Sequence, residues 1–244
     1  MPKLFVATPC YGGQVHNGYF KSMLELVKLM DTEVFTIPFE SLIPRARNVC
    51  ASAFMKSDCT HMIFIDADIT FNPKDINGMI ECNKDVIAGV YPKKSLKLDM
   101  IKKHSENASN LSSLIAKSVG YAFNAKKGKI APPGIIEVMD APTGFLLIKR
   151  SVIVKLMVAY SDRKYKNDIQ AYEAYSKDGY FYDLFPSFVD IDTKNEKRFL
   201  SEDYGFCRLW QKLEGEIFAD LRVNLNHTGQ FTYIGCPIAH LNST

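Results

Sequence analysis

The sequence predicts an α/β fold with a doubly wound, mostly parallel central sheet and helices on both sides. Short apolar runs alternate with longer amphipathic ones through the first 90 residues, which is the pattern of repeated strand–helix units. The length of 244 residues suits one α/β domain. At that length roughly 70–75% of the unfolded chain's surface is buried on folding, so the core needs no disulfides.

The first 92 residues predict four strands and three helices. The strands are expected at residues 3–8, 33–37, 61–66 and 85–92, and the helices at 19–30, 44–56 and 73–82. Pro9 is expected to close the first strand, and Pro44 to lie in the first turn of the second helix. The buried stripe of the first helix is expected to comprise Phe20, Met23, Leu24, Val27 and Met30.

The rest of the chain has a less regular pattern. Residues 95–135 are rich in Lys, Ser and Asn and lack a long periodicity, which predicts a variable insertion or mobile loop with room for a short helix. Residues 137–153 predict a strand, a turn at Pro142–Gly144, a second strand and the start of a helix. A further helix is predicted at 201–213, with Ser201 as its N-cap.

Composition and charge indicate a soluble globular protein: 47% of residues are hydrophobic and 23% charged. The net charge of +3 is too small to indicate a nucleic-acid partner. Lysines gather at residues 91–104 and 124–129, and these runs favour solvated loops, with a patch facing phosphate or an acidic glycan as the alternative.

The six cysteines are scattered without a CxxC pair, several in apolar contexts, which predicts reduced core thiols in a reducing compartment. The N-terminal residues lack the pattern of a signal peptide. No apolar run approaches the roughly 20 residues that span a bilayer. We therefore expect a cytoplasmic protein without a membrane span.

Two carboxylates, Asp66 and Asp68, stand at the end of an apolar strand in HMIFIDADITF, residues 61–71. In an extended chain they would point the same way. Two close carboxylates repel each other unless a cation or a proton lies between them. Mg²⁺ and Mn²⁺ take carboxylate and phosphate oxygens with few protein ligands. The pattern favours a divalent metal site, and the alternative is a strand end in which Asp68 and Asn72 only open the next helix.

Three predicted strands end in residues with binding chemistry: Thr8 to Tyr11, Asp66 to Asp68, and Tyr91. Ligands of doubly wound sheets bind outside the carboxyl ends of the strands. These residues are therefore expected to meet at one rim.

The sequence resembles the GT-A glycosyltransferases, nucleotide-sugar enzymes whose DxD motif follows an apolar strand. The resemblance rests on six segments, in the order ATPCYGG, IPRARNVCASAF, HMIFIDADITF, APTGFLLIKRSVI, SEDYGFCRLW and HTG. It is strongest to the small GT-A enzymes of large algal DNA viruses and of phages, and a viral source would place the enzyme in the host-cell cytoplasm. The resemblance implies a single Rossmann-like GT-A domain over 1–244, with a nucleotide-binding half at 1–92 and an acceptor-side half at 137–244.

The implied activity is a metal-dependent glycosyltransferase, transferring a hexose or deoxyhexose to a glycan or glycoprotein. The donor is a nucleoside-diphosphate sugar, a UDP-sugar by default, bound with Mn²⁺ or Mg²⁺. The implied metal ligands are Asp66, Asp68 and His227, with Asp68 in direct contact. The implied nucleotide contacts are Thr8, Pro9, Tyr11, Arg45, Arg47, Asn48, Asp66, Ala67 and Gly144. For the arginines, surface salt bridges are the alternative, and for Gly144 a plain turn.

The catalytic acids implied by the resemblance are Glu202 and Asp203, at a helix start where the dipole favours the ionised form. An inverting transfer needs a carboxylate to take the acceptor's proton. Neighbours on a helix point about 100° apart, so one of the two faces the sugar. The ED motif implies Asp203 as the base, with Glu202 turned toward acceptor hydroxyls or the helix cap. A purely capping role for both acids, and a retaining mechanism, remain alternatives.

Two other functions share parts of this pattern. A nucleotidyltransferase uses metal carboxylates but usually has a basic glycine-rich phosphate loop, and YGGQVHNG lacks basic residues of that kind. A non-catalytic glycan-binding relative need not retain DAD, ED and HTG together. A Rossmann dehydrogenase is disfavoured, because no GxGxxG follows the first strand.

Overall fold

Eight strands form one mixed sheet at the centre of this computed structural model, which describes residues 2–126, 134–176, 178–191 and 195–241. The strands in chain order are β1 (Leu4–Cys10), β2 (Thr32–Pro38), β3 (His61–Ile65), β4 (Ile69–Thr70), β5 (Val86–Gly89), β6 (Pro92–Leu96), β7 (Val119–Tyr121), β8 (Asn124–Ala125), β9 (Ile135–Asp140), β10 (Phe145–Lys149), β11 (Lys164–Lys166), β12 (Tyr180–Tyr182), β13 (Phe188–Ile191), β14 (Lys197–Leu200), β15 (Phe218–Asp220), β16 (Asn226–Thr228) and β17 (Thr232–Ile234). The helices are α1 (Asn17–Leu29), α2 (Ile43–Lys56), α3 (Pro73–Glu81), α4 (Leu98–His104), α5 (Leu111–Ser118), α6 (Arg150–Ala159), α7 (Glu202–Gln211) and α8 (Pro237–Leu241), with 3₁₀ turns at Ser161–Arg163 and Gln170–Tyr175.

The strand order of the central sheet is β2-β1-β3-β10-β5-β15-β9-β8. β1 is parallel to β2 and β3, and β5 is parallel to β15. β10 runs antiparallel between β3 and β5, and β9 runs antiparallel to β15. The predicted α/β fold is confirmed, but the sheet is mixed where the sequence predicted a mostly parallel one, because β10 and β9 are inserted in the opposite direction.

Alternate residues of the inner strands supply two separate cores. Phe5 and Phe64 pack toward α2, α6 and α7 on one face of the sheet, whereas Leu4 and Ile63 pack toward α1 and α3 on the other. Continuing the alternation beyond Ile65 directs Asp66 to the α2 side. The register of β3 thus determines which helix meets the first carboxylate of DAD.

The strands and helices predicted for the first 90 residues are present, and their bounds differ by a few residues. β1 continues through Pro9 to Cys10, so the prediction that Pro9 closes it is wrong. β3 pairs with β1 only as far as Ala7, and beyond that point β1 is paired with β2 alone. The N–H that Pro9 lacks therefore need not interrupt a two-sided ladder.

α1 buries a different stripe from the predicted one. Phe20, Leu24 and Val27 are about half exposed, while Tyr19 and Leu26 are buried together with the correctly predicted Met23. Both stripes satisfy helical spacing. The hydroxyl of Tyr19 lies 2.6 Å from that of Thr8, and this buried hydrogen bond favours the stripe that the helix adopts.

The segment predicted as a variable insertion or mobile loop contains short strands and helices where it is described. β6 and β7 pair in an antiparallel ladder, α4 packs against α5, and α5 contacts α8 and β17. α5 lies in the stretch where the sequence left room for a short helix, whereas α4, with seven residues, is too short for periodicity to reveal. Residues 127–133, which include part of the second lysine run, lie outside the described residues.

The later elements are partly as predicted. α6 follows β10 directly, and α7 begins at Glu202 with Ser201 in the N-cap position. The Ser201 hydroxyl donates to the Asp203 carboxylate instead of accepting from the helix backbone. β4 and β15 were not predicted, because strands of two or three residues carry no pattern. Within the described ranges, every helix falls short of the length and hydropathy that a bilayer span requires.

Candidate functional site

A cleft of about 850 Å³ opens at the carboxyl edge of the central sheet. Its walls come from the loop after β1, the turn after β3, Tyr91 after β5, and the starts of α2 and α7. The three chain segments that the sequence placed at one rim therefore meet in one cavity, as is usual for open α/β sheets.

The DAD motif is a turn at the floor of this cleft. β3 ends at Ile65, and the Asp66 carbonyl accepts the Ile69 N–H at 3.1 Å. The prediction that Asp66 and Asp68 share one side of an extended chain is wrong for this reason: Asp66 faces Arg47, and Asp68 faces Lys94 and His227. Both carboxylates and Ala67 nevertheless line the cleft.

Asp68 and His227 form a carboxylate–imidazole pair. Asp68 Oδ1 lies 3.3 Å from His227 Nε2, and its Oδ2 accepts a hydrogen bond from Lys94. Burial alone would raise the pKa of Asp68, but the hydrogen bonds from His227 and Lys94 outweigh burial and lower the pKa to about 2. Asp68 is therefore ionised at neutral pH.

The second nitrogen of His227 determines what the first can do. Nδ1 lies 2.9 Å from the Pro92 carbonyl oxygen, which only accepts, so Nδ1 carries a proton. With Nδ1 protonated, Nε2 donates to the Asp68 carboxylate only in the imidazolium form. In the neutral ring the Nε2 lone pair faces the carboxylate, and a metal ion between them would satisfy both. A carboxylate oxygen and an imidazole nitrogen are suitable ligands for Mn²⁺. The residues therefore fit a divalent cation, with Asp66 nearby as a further ligand or as a partner through water.

These three residues do not form the tightest ligand cluster in the described part of the chain. The cluster with ligand atoms within 4.8 Å of one another is Glu33, Asp58 and Cys59, at the opposite edge of the sheet. Asp58 is exposed there and is paired with Lys3. A metal in the cleft would therefore depend on few protein ligands and on phosphate oxygens, as Mg²⁺ and Mn²⁺ commonly do.

Arg47 is a buried guanidinium that joins the two ends of the cleft. Its Nη2 lies 3.4 Å from Asp66 Oδ1, its Nε lies 3.2 Å from Glu202 Oε1, and its guanidinium carbon lies 5.0 Å from the centre of the Phe64 ring. Burial alone would lower the pKa of Arg47, but the Asp66 and Glu202 carboxylates raise it, so the charge persists. Nη1 is buried without a hydrogen-bond partner among the described residues.

Glu202 and Asp203 both line the cleft and differ in environment. Glu202 pairs with Arg47 at 3.2 Å from within the cleft lining, and its predicted orientation toward acceptor hydroxyls or the helix cap stays a prediction. Asp203 Oδ1 accepts hydrogen bonds from the Ser201 hydroxyl and, at 2.9 Å, from the Tyr204 N–H. Burial, together with the Glu202 charge, raises the pKa of Asp203 above its usual value. A carboxylate of raised pKa is a stronger base when ionised.

Gly144 is needed where it lies. A Cβ at this position would be 2.6 Å from Asp66 Oδ2 and 2.7 Å from the Tyr91 ring, and the Gly144 carbonyl accepts the Asp66 N–H at 2.9 Å. Gly144 thus packs directly against the first residue of the DAD turn, and its neighbour Thr143 lines the cleft. The Tyr91 ring in turn packs edge-on against His227, with ring centres 5.1 Å apart.

The loop after β1 contributes part of its predicted set. Pro9 and Tyr11 line the cleft, and the Tyr11 ring is 69% exposed, as a stacking surface requires. Thr8 is fully buried with its hydroxyl on Tyr19, so it lies beneath the cleft and not in its wall. The His16 N–H donates to the Ala67 carbonyl at 2.8 Å, which ties this loop to the DAD turn.

Arg45 and Asn48 share a face of α2, as predicted, but that face borders a second cavity of about 520 Å³. Arg45 makes a bidentate ion pair with Glu40, at 2.7 and 2.9 Å. Asn48 donates to Asp183 at 3.1 Å and accepts the N–H groups of Leu184 and Phe185 at 3.0 and 3.1 Å. The structure thus gives both residues protein partners, and neither side chain lines the cleft, although Glu40, the partner of Arg45, does.

Replacing Asn48 by alanine is expected to destabilise the protein by about 1–3 kcal/mol, because two buried N–H groups lose their acceptor. Chemical denaturation measures this change. Asn77→Ala, at an exposed site on α3 where the side chain bonds Glu81, is the matched control and should change stability by less than about 0.5 kcal/mol. Equal stability of the two variants would show that the Asn48 network contributes nothing.

The sequence reasoning missed two charged residues of the cleft, Lys94 and Glu40. Lys94 lies in the run interpreted chiefly as a solvated loop, and its place just after the strand that ends before Tyr91 is the signal that points to the rim. Glu40 is 6% exposed and accepts from Arg45, from the Tyr172 hydroxyl at 2.9 Å and from the Leu42 N–H at 2.8 Å. The position of Glu40, between β2 and α2, gave no sequence signal that its carboxylate lines the cleft.

No protein-family description matches this chain, and no curated protein is similar to it in sequence. Among solved structures, the fold is similar to that of A197 from STIV, with a TM-score of 0.51 and 17% sequence identity. The similarity extends over 96% of this chain and 94% of the A197 chain. At this level of identity the likeness shows a shared fold alone.

Proposed function

We propose that this protein is a metal-dependent glycosyltransferase, which moves a sugar from a nucleoside-diphosphate sugar to a hydroxyl group with inversion at the sugar. One observation carries the proposal. A single cleft brings together the Asp68–His227 pair, the buried Arg47 and the Asp203 carboxylate. The GT-A resemblance of the sequence assigns metal, phosphate and base roles to these same residues.

The charge balance of the cleft supports a cation-dependent donor. Among the described residues, five carboxylates line it, against the two permanent cations Arg47 and Lys94. A diphosphate would meet net repulsion here unless further positive charge came with it. Asp68 and His227 would hold a divalent cation, with Asp66 beside them. When bound, that cation supplies charge stabilisation for the departing diphosphate.

Arg47 has the geometry for a phosphate contact. Its unpaired Nη1 is a buried donor, and such a donor costs stability unless a ligand or water satisfies it. Arginine binds phosphate with high geometric specificity. Because Asp66 and Glu202 hold the other two nitrogens, the guanidinium is fixed in position before the donor arrives.

Asp203 is the proposed base. Its carboxylate takes the proton of the acceptor hydroxyl as that oxygen bonds to the anomeric carbon, and the bond from that carbon to the diphosphate oxygen breaks. The leaving nucleoside diphosphate carries away the electron pair. Ser201 and Tyr204 fix the carboxylate through Oδ1. The proposed acceptor is a glycan or glycoprotein hydroxyl, and the proposed default donor is a UDP-sugar.

Calorimetric titration with a panel of nucleoside diphosphates, with Mn²⁺ and with EDTA, tests the proposal. One nucleotide is expected to bind only in the presence of Mn²⁺. Arg47→Lys is expected to weaken that binding about tenfold through loss of the fixed fork. The matched variant Arg222→Lys, at an arginine that pairs with Asp220 at 2.6 Å outside the cleft, should bind like the wild type.

Failure of every nucleotide to bind to folded protein would contradict the transferase proposal. That result would favour a non-catalytic glycan-binding role, which binding to a glycan array would test. Tight binding without any metal would remove the cation from the proposal and leave the nucleotide-sugar donor in place.

A further inference from the structure

Lys94 pairs with the carboxylate of Asp68, the residue proposed to contact the metal directly. It projects from β6, its ammonium is paired with Asp68 Oδ2, and its side chain is 38% exposed. Two residues earlier on the same strand, the Pro92 carbonyl holds His227 Nδ1 at 2.9 Å. The short strand β6 therefore orients the candidate ligand His227 through the Pro92 carbonyl, and it supplies the ammonium that pairs with the candidate ligand Asp68.

Gly229 gives the Lys94 side chain its space. A Cβ at Gly229 would lie 3.1 Å from Lys94 Cδ, closer than ordinary van der Waals contact. Gly229 directly follows β16, and the Thr228 N–H donates to the Asp68 carbonyl at 2.9 Å. The HTG sequence thus combines the candidate ligand His227 with a glycine whose missing side chain leaves room for Lys94 beside Asp68.

We propose that Lys94 occupies the metal position when no cation is bound and moves its charge onto the diphosphate when cation and nucleotide bind. The part of this proposal that concerns the nucleotide, its nucleotide half, rests on the proposed function. The part that concerns displacement of Lys94 by a cation, its metal half, does not. The ammonium and a divalent cation repel each other and compete for the same carboxylate. A lysine has the flexible four-carbon stem and single point charge that such a move requires.

The exchange couples the two ligands. A cation alone must displace Lys94 from Asp68 and leaves the ammonium without its partner. When a diphosphate is present, the displaced ammonium gains new phosphate oxygens, so each ligand strengthens the binding of the other. Such coupling is reciprocal by thermodynamic necessity. The site would then favour the cation–nucleotide pair over the free metal.

Mn²⁺ binding followed by electron paramagnetic resonance, without nucleotide, tests the metal half. Lys94→Met keeps the length of the side chain and removes its charge, and should tighten Mn²⁺ binding about fivefold, as expected for loss of one competing ion pair of about 1 kcal/mol. Lys93→Met is the matched control. Lys93 is exposed on the same strand, with its Cδ near Gly120, and its replacement should leave Mn²⁺ affinity unchanged.

Calorimetry with the nucleoside diphosphate that binds in the panel titration, UDP by default, tests the nucleotide half of the proposal. In saturating Mn²⁺, Lys94→Met should bind the nucleoside diphosphate about fivefold more weakly than the wild type, and the mutual strengthening of metal and nucleotide should fall accordingly. Gly229→Ala, which crowds Lys94 without removing it, should shift Mn²⁺ affinity in the same direction as Lys94→Met.

Unchanged or weaker Mn²⁺ binding by folded Lys94→Met would overturn the inference, as would failure of both proteins to bind Mn²⁺. A lower melting temperature with unaltered Mn²⁺ affinity would assign Lys94 a structural role only. Tighter Mn²⁺ binding by the variant, with no nucleotide binding to any form, would uphold the metal half while the transferase proposal failed.

Discussion

Replacing Asp203 by asparagine is expected to lower the transfer rate by about 10²–10⁴-fold, because the amide cannot take the acceptor's proton. Donor binding should persist, since the proposed metal and phosphate contacts lie on other residues. Sugar transfer and calorimetric nucleotide affinity, measured on the same preparation, separate the two effects. A variant that binds nucleotide and transfers sugar at the wild-type rate would exclude Asp203 as the base.

The matched control is Asp99→Asn, an exposed acid in the first turn of α4 and outside the cleft. It should leave the rate unchanged.

The pH dependence of the transfer rate gives a second test of Asp203. The base acts only when ionised, so the rate should be full above the raised pKa of Asp203 and fall as the pH drops through it. Ser201→Ala removes a hydrogen bond that lowers this pKa, so the fall should begin at a higher pH.

Replacing Asp68 by asparagine is expected to weaken Mn²⁺-dependent nucleotide binding by about 100-fold or more, because changes even to residues behind a metal ligand commonly cost 10–100-fold. The variant loses the charge that attracts the cation and keeps nearly the same shape. Calorimetry with the nucleotide in Mn²⁺ measures the loss. Folding should persist, since the Asp68 carboxylate is partly exposed and its partners are Lys94 and His227.

Asp66→Asn provides the comparison for Asp68→Asn. Asp66 faces Arg47, and Asp68 faces His227, so the Asp66 variant should lose less Mn²⁺ affinity. The reverse order would assign direct metal contact to Asp66 and would contradict the proposed roles within DAD. Equal losses would indicate that both carboxylates contact the cation.

The apolar strands made the α/β fold and the rim predictable, because β1, β3 and β5 end in residues whose chemistry does not suit a core. Sequence spacing did not reveal where β3 stops. Ending at Ile65, one residue before Asp66, it turns the two carboxylates toward different partners. Strand ends of this kind depend on tertiary pairing, here with β10, which local pattern does not record.

The helix α2 shows the same limit for the cleft. Its polar residues Arg45, Arg47 and Asn48 all suggested ligand contacts, yet a helix presents them to different neighbours. Arg47 faces the cleft, whereas Arg45 and Asn48 bind Glu40 and the segment around Asp183. Lys94 was misjudged for the opposite reason, because its lysine-rich run resembles a solvated loop and its partner Asp68 is far away in sequence.

The insertion of β10 between β3 and β5 has a consequence for modularity. The strand that completes the sheet beside the DAD motif comes from the second half of the chain. A fragment limited to residues 1–92 would leave one edge of β3 and both edges of β5 unpaired, and exposed apolar strand edges are a template for aggregation. The part of the cleft around the DAD motif is therefore not a cassette that can be cut out or exchanged, since strands from both halves of the chain alternate in one sheet.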